Sequence, residues 1–356
     1  MRMIKSKLVL FAIAVVFCSC SKEKNPEGGY ISRNGITLTD SVFNVSSKTF
    51  ALNIDVKATG GWRATSNDVW ITVDTKERNG SGKLTLTLSE NTDEFYPRRG
   101  TVSLINESGI HTVVVNQESC GMLTMNVGGV KFKMIPVEHG TFLMGESAEG
   151  VNGSHVHSVT LTKDYYIGET EVTQGLWYAV MGQKPTSNGS AWSSSYGVGD
   201  NYPAYYISYE DCEQFLTKLN QMTGQNFRFP TEAEWEFAAK GGNKSKGYTY
   251  AGSNVIENVA WYTDNSGSST HAVKTKAANE LGLYDMSGNV QEWCYDWYDS
   301  YSSSAQTDPT GPTSGSDRVI RGGNWYDGAW LCRCALRIHD TPFERYDDRL
   351  GFRLAL

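Results

Sequence analysis

The 356 residues contain no Cys-x-x-Cys pair, which excludes a zinc ribbon and a thioredoxin-type redox site. The six histidines include no His-Glu-x-x-His, so the helix-borne zinc site of a metalloprotease is excluded too. No block of basic residues occurs and the formal net charge is −7, so nucleic acid is not expected as a partner. The apolar run Leu8–Phe17 is too short to span a bilayer as a helix. Cysteine is sparse, at positions 18, 20, 120, 212, 294, 332 and 334.

Glycine, tyrosine and tryptophan are plentiful, at 36, 19 and 10 residues, beside an ordinary hydrophobic content of 39%. That mixture suits a loop-rich fold pinned by aromatics better than a helical bundle. The length is that of two domains.

Arg2, Lys5 and Lys7 precede the apolar run, and Cys18-Ser19-Cys20 and a polar tail follow it. Residues 1–20 therefore read as a secretory signal peptide. The small residue before Cys20 resembles a bacterial lipoprotein processing site, which implies lipidation of Cys20 and a membrane anchor there. "SKEK" after it resembles the export tags of surface lipoproteins in Bacteroidetes. That implies the cell envelope, with attachment to the outer membrane and exposure at the surface. Residues 21–30 carry Pro and Gly and read as a tether. Disulfides form outside the cytoplasm, but the five remaining cysteines are odd in number, so at least one is free. His155 and His157 read as surface residues, with a metal site as the lesser alternative.

From 31 to 118 the pattern has period two. Phe50, Leu52, Ile54 and Val56 share one face, as do Leu84, Leu86 and Leu88, and "NGSG", "NESG" and "YPRRG" supply turns. This predicts an all-β sandwich of immunoglobulin-like size. "GGWRATSNDVWITV", "GSGKLTLTLSEN", "RRGTVSL" and "VVVNQES" resemble a BACON domain, a family found on carbohydrate-active proteins of Bacteroidetes. Trp62 and Trp70 flank strands and read as core residues, with stacking on sugar as the alternative.

Residues 121–356 change texture. Helices are expected after Thr173 as far as Gly182, after Ser208 as far as Gly224, and after Thr231, where Glu234 completes a capping box and Gly241 stops the helix. The rest is short strands and long loops. "FLMG", "YYIGETEVTQGLWYAVMG", "FRFPTEAEWEFAAKGG", "NVAWYTDNSG", "NELGLYDMSGNVQEW", "RVIRGGNW" and "LGFRLAL" resemble, in order, the formylglycine-generating enzyme or sulfatase-modifying factor family. The resemblance implies a mixed α+β fold, C-type-lectin-like, with much irregular structure.

It also implies a copper-dependent oxidase that converts a sulfatase cysteine to formylglycine. In such enzymes two cysteines five apart, shortly after the RGG, hold one Cu(I). Here Cys332 occupies the second position and Asp327 the first. A carboxylate is a hard ligand and a poor substitute for thiolate on Cu(I). Asn324 stands where the family has serine, and Gln291 where it has tryptophan. "CRCALRI" alternates, which predicts a strand with Cys332, Cys334, Leu336 and Ile338 on one face. Two thiolates at that spacing, about 6.5–7 Å apart at the backbone, would bridge copper only if the strand were distorted. Cys294 is the expected disulfide partner of Cys332, with core packing of both as the alternative.

The family also binds structural calcium at the "GNV" turn. By position the ligands implied are the side chains of Asp285 and Glu292 and the carbonyls of Gly288 and Val290, with Asn258 as a weak member of a second site. Oxygen ligands at a glycine turn suit a hard cation.

Three functions follow. The first is a non-catalytic surface lipoprotein that binds a surface protein or glycan through stretches such as 295–301 and 325–330. The second is an active copper-dependent oxidase of protein cysteine. The third is a component of gliding or type IX secretion-like surface machinery, whose lipoproteins share this domain. Three altered active-site positions on a kept scaffold favour the first.

Overall fold

The computed structural model describes residues 35–74, 76–146, 155–185, 191–343 and 348–356. The leader, Cys20 and the tether expected at 21–30 lie outside these residues. The chain is multidomain and mostly β, with three α-helices among the described residues. It divides into two compact units. One is built from 35–43, 50–89 and 100–115, and the other from 44–49, 90–99 and 116 onward.

Two sheets dominate the N-terminal part. One holds Ile36–Leu38, Ala51–Ala58, Gly82–Leu88 and Ile71–Val73 in that order, all antiparallel. The other holds Val42–Val45, Gly109–Gln117, Arg98–Asn106, Gly61–Ser66 and Arg78–Asn79. Alternation does what period two requires: Ile54, Val56, Leu84, Leu86 and Leu88 are buried while their neighbours in sequence face out. Phe50 departs from this pattern and is exposed, because it lies one residue before the strand. Trp62 and Trp70 are both buried, and the Trp62 indole donates to the Gly80 carbonyl at 2.9 Å. Their faces are therefore core surface and cannot stack on a sugar.

Among the described residues of the second unit, five strands from Leu123–Val127 to Tyr165–Gly168 precede three helices whose ends are set locally. Helix α1, Gln174–Met181, has Thr173 as N-cap and Gly182 in the left-handed conformation at its end. Helix α2, Tyr209–Thr223, and helix α3, Glu232–Ala239, each start with a complete capping box, Ser208 with Asp211 and Thr231 with Glu234. Helix α2 turns Cys212, Phe215, Leu216 and Leu219 inward.

The sheet that positions the site holds Arg337–Asp340, Arg318–Arg321, Gln291–Trp297 and Leu350–Phe352 in that order. Its buried side chains feed two cores. Trp293, Ile320 and Phe352 join Trp177, Tyr205 and Phe215, while Cys294 and Val319 join Trp235 and Phe237. Buried ion pairs cross-link this irregular unit. Arg353 meets Glu292 at 2.7 Å, Arg337 meets Glu232 at 2.7 Å, and Arg321 meets Glu236. Such pairs do not add stability by number alone. They fix geometry, because losing one partner strands a buried charge. His157 is buried on the strand His157–Leu161, not at the surface, with its ring 4.9 Å from that of Tyr301.

Candidate functional site

The strand Arg318–Arg321 runs into Gly322 and Gly323, both in the left-handed region. Gly323 is required twice. Its φ is +69°, and a Cβ there would lie 2.8 Å from Cys332 Sγ and 2.7 Å from the Leu331 carbonyl. The turn therefore packs directly on Cys332.

Cys332 ends a short 3-10 turn, Ala329–Cys332, instead of lying on a strand, and the strand begins only at Arg337. The expected common face with Cys334 is accordingly lost. Both thiols are buried, but Cys332 packs with Ile256, Ala260 and Tyr262, whereas Cys334 belongs to the core around Trp235 and Phe237. Nor is the expected bridge from Cys294 to Cys332 formed. All five described cysteines are free, and Cys294 lies in the Trp235 core, apart from Cys332.

The three altered positions come together. Asp327 Oδ2 accepts from Gln291 Nε2 at 3.0 Å, from Asn324 Nδ2 at 2.8 Å and from the Asn324 backbone N–H at 3.2 Å. Asn324 Oδ1 in turn accepts from the backbone N–H groups of Tyr326 and Asp327. Asn324 and Gln291 are buried, while Asp327 is half-buried. Burial, reinforced by the negative charge of Asp327, pushes the Cys332 thiol far up from its ordinary value, so it is neutral at physiological pH. This donor set does not fit Cu(I), which needs thiolates, and Asp327 opposes the one thiolate that remains. The dent lined by Gln291, Gly322, Gly323 and Leu331 has no room even for water.

The glycine turn before the strand Gln291–Trp297 holds the second candidate site. Asp285 is buried with φ +57°. Its Oδ2 accepts from the Lys274 backbone N–H at 2.8 Å, and its Oδ1 has no partner. Gly288 is fixed by close approach, since a Cβ there would meet the Trp261 carbonyl at 2.3 Å. Glu292 is already saturated. Its carboxylate takes Arg353 Nη2 at 2.7 Å and Nε at 3.0 Å, and the Trp235 indole at 2.6 Å. In its place the fold supplies Glu171, buried at 2% exposure with neither carboxylate oxygen partnered. Burial pushes the Glu171 carboxyl well up, and the charge of Asp285 adds to the shift. Burial likewise raises Asp285. Orphaned carboxylate oxygens fit a hard cation, whereas a Glu292 neutralised by Arg353 does not. Among the described residues no three His, Cys, Asp or Glu side chains are grouped for a metal. A cation here would rest on Asp285, Glu171 and backbone carbonyls such as those of Gly288 and Val290. Asn258 is exposed at the end of another 3-10 turn, away from any such group.

Residues 129–356 match the family described as sulfatase-modifying factor enzyme 1-like. The chain belongs to that family. Residues 60–118 match BACON, a putative binding domain. The chain is 32% identical over 235 residues to chaperone protein LppX of Paenibacillus barcinonensis, covering 54% of this chain and 78% of that one. It is 34% identical over 173 residues to the formylglycine-generating enzyme of Streptomyces coelicolor, covering 44% of this chain and 52% of the enzyme. It thus spans about half of that enzyme's length. Among solved structures, Treponema denticola variable protein 1 superposes with a TM-score of 0.58 at 35% identity, covering 66% of this chain and 98% of the other. PvdO from Pseudomonas aeruginosa does so with a TM-score of 0.52 at 26% identity, covering 63% and 93%.

Within the sulfatase-modifying-factor frame, sequence reasoning missed Glu171 as a site residue, although it lies inside the matched block "YYIGETEVTQGLWYAVMG". No local signal marks a carboxylate as unpartnered. The stretch 295–301 is also less exposed than expected. Tyr295 is exposed, but Asp296 is buried. In 325–330, Trp325 is buried, while Tyr326 and Trp330 are 60% and 57% exposed.

Proposed function

We propose that this protein is a lipid-anchored lipoprotein of the cell envelope whose sulfatase-modifying-factor-like domain binds a surface protein or glycan and does not oxidise cysteine. The observation that carries this reading is the closed set of hydrogen bonds from Gln291 and Asn324 to Asp327, where the family resemblance puts a copper thiolate. A site rebuilt as a rigid polar cluster has lost soft-metal chemistry and kept its frame. Beside the cluster, Tyr326 and Trp330 offer exposed aromatic faces, and the Arg349 guanidinium lies 5.7 Å from the Tyr326 ring. Aromatic and arginine side chains are the usual anchors of a binding surface.

The two N-terminal sheets serve, in this reading, as an immunoglobulin-like spacer between the lipid at Cys20 and the binding domain. A calcium ion held by Asp285 and Glu171 would be structural. The reading is tested by a glycan array and a display of purified envelope proteins, using the full chain and a Tyr326→Ala/Trp330→Ala double variant. Binding present in the wild type and lost in the variant is the expected result. No binding by the wild type on either platform, or equal binding by both chains, contradicts it.

A further inference from the structure

A cavity of about 280 Å³ opens beside the start of α3, lined in part by Met144, Trp297, Tyr301, Pro309 and Thr310. It is separate from the Asp327 cluster, none of whose members lines it. At about 30 Å³ per water, it has room for one small organic molecule.

Two carboxylates form its polar floor, and their states differ. Glu232 is fully engaged. Arg337 binds it through Nε and Nη2, both at 2.7 Å, and the Tyr301 hydroxyl donates to it at 2.8 Å. Asp296 is 4% exposed, and its Oδ2 accepts from the Glu232 backbone N–H at 2.7 Å. Among the described residues its Oδ1 has no hydrogen-bond partner. The charge of Arg337 is taken up by Glu232, so the Asp296 carboxylate has no cation of its own. Asp299 on the lining adds negative charge.

We propose that this cavity binds a small primary amine, with the ammonium group paired to Asp296 and a short aliphatic stem against Met144, Trp297 and Pro309. A neutral polyol offers no positive charge to pair with Asp296 when it ionises. A calcium ion needs at least six oxygens, and the floor offers it one carboxylate.

The charges of Glu232 and Glu234 of α3 and of Arg337 act on Asp296, and His157, Asp299 and Tyr301 line the same cavity. Burial, with Glu232 adding to it, raises the Asp296 carboxyl to about 8, against the opposing pull of the Glu232 amide and Arg337. At pH 7 the empty cavity therefore holds Asp296 protonated. Binding an ammonium ion ionises it, and the carboxyl proton leaves to solvent.

Calorimetry on the full chain tests this, with n-butylamine hydrochloride as probe and n-butanol as neutral control. Titrations run from pH 6.5 to 9 in two buffers of different ionisation enthalpy. Saturable binding of butylamine alone is expected. Its Kd should fall about tenfold per pH unit below pH 8, with close to one proton released per ligand at pH 7. Asp296→Asn keeps an acceptor for the Glu232 N–H and should abolish both signals. Thr310→Trp at the exposed rim leaves the buried pairs alone and should block entry. Absence of butylamine binding by the wild type at pH 8.5, equal binding of butanol, a Kd flat with pH, or unchanged binding in Thr310→Trp would overturn the proposal.

Discussion

Gln291 donates its side-chain amide to Asp327 Oδ2 at 3.0 Å, tying the strand Gln291–Trp297 to the turn that follows Gly323. Asn324 donates to the same oxygen, so Gln291, Asn324 and Asp327 act as one unit.

Asp327→Ala leaves the Asn324 and Gln291 amides without their acceptor. Denaturant unfolding should show a loss of about 1–3 kcal/mol. In Asp327→Asn the negative charge beside Cys332 disappears, and alkylation of Cys332 in the folded protein should become faster but remain slow, because burial is the larger cause of its raised pKa. An unchanged rate in Asp327→Asn would mean that the charge does not act on the thiol.

Of the five described cysteines only Cys120 is exposed, and none is bridged. Iodoacetamide should label one of them in the folded chain and all five after denaturation, without reductant. A peptide linking Cys294 to Cys332 in a non-reduced digest would contradict this arrangement.

Glu292→Gln removes the partner of a fully buried Arg353 while keeping the side-chain volume. Breaking a buried pair from one side costs about 3–5 kcal/mol, so this variant should unfold at markedly lower denaturant or fail to fold. Arg228→Gln loosens a pair whose arginine is partly exposed, Arg228 with Glu234, and should cost about 1 kcal/mol or less.

Asp285 and Glu171 are both raised by burial, Asp285 from 3.8 to about 6. A carboxyl raised on folding favours the folded state at low pH, and that contribution is lost as pH climbs through the folded value. These two groups should therefore lower stability as pH rises from about 4 through 6 and beyond. Calcium binds the ionised forms, so it should raise the melting temperature at pH 7.5 and hardly at pH 4.5. Glu171→Gln should diminish the calcium effect at pH 7.5. An equal calcium effect at both pH values would argue against these carboxylates as ligands.

Much of the frame was legible because it is set locally. Thr173, Ser208 and Thr231 cap helices through atoms three residues away, and period-two burial fixes which face of Gly82–Leu88 turns inward. Gln291, Asn324 and Asp327 were singled out by the family resemblance alone. Their contact with one another was not legible, since Gln291 and Asp327 are brought together by the sheet. The alternation in "CRCALRI" misled, because Cys332, on which Gly323 packs, ends a 3-10 turn and the strand starts only at Arg337. Asp296 and His157 read as surface residues, yet both are buried beside the Glu232–Arg337 pair and Tyr301. Orphaned carboxylates such as Glu171 carry no mark in sequence at all.

The central claim is that the rebuilt cluster around Asp327 has replaced cysteine oxidation. The direct test incubates the purified chain with Cu(I), oxygen and a peptide carrying a sulfatase-type cysteine motif, and follows the peptide by mass spectrometry. The account predicts no aldehyde product above that of a Cys332→Ser variant. An aldehyde formed by the wild type and lost in Cys332→Ser would contradict it.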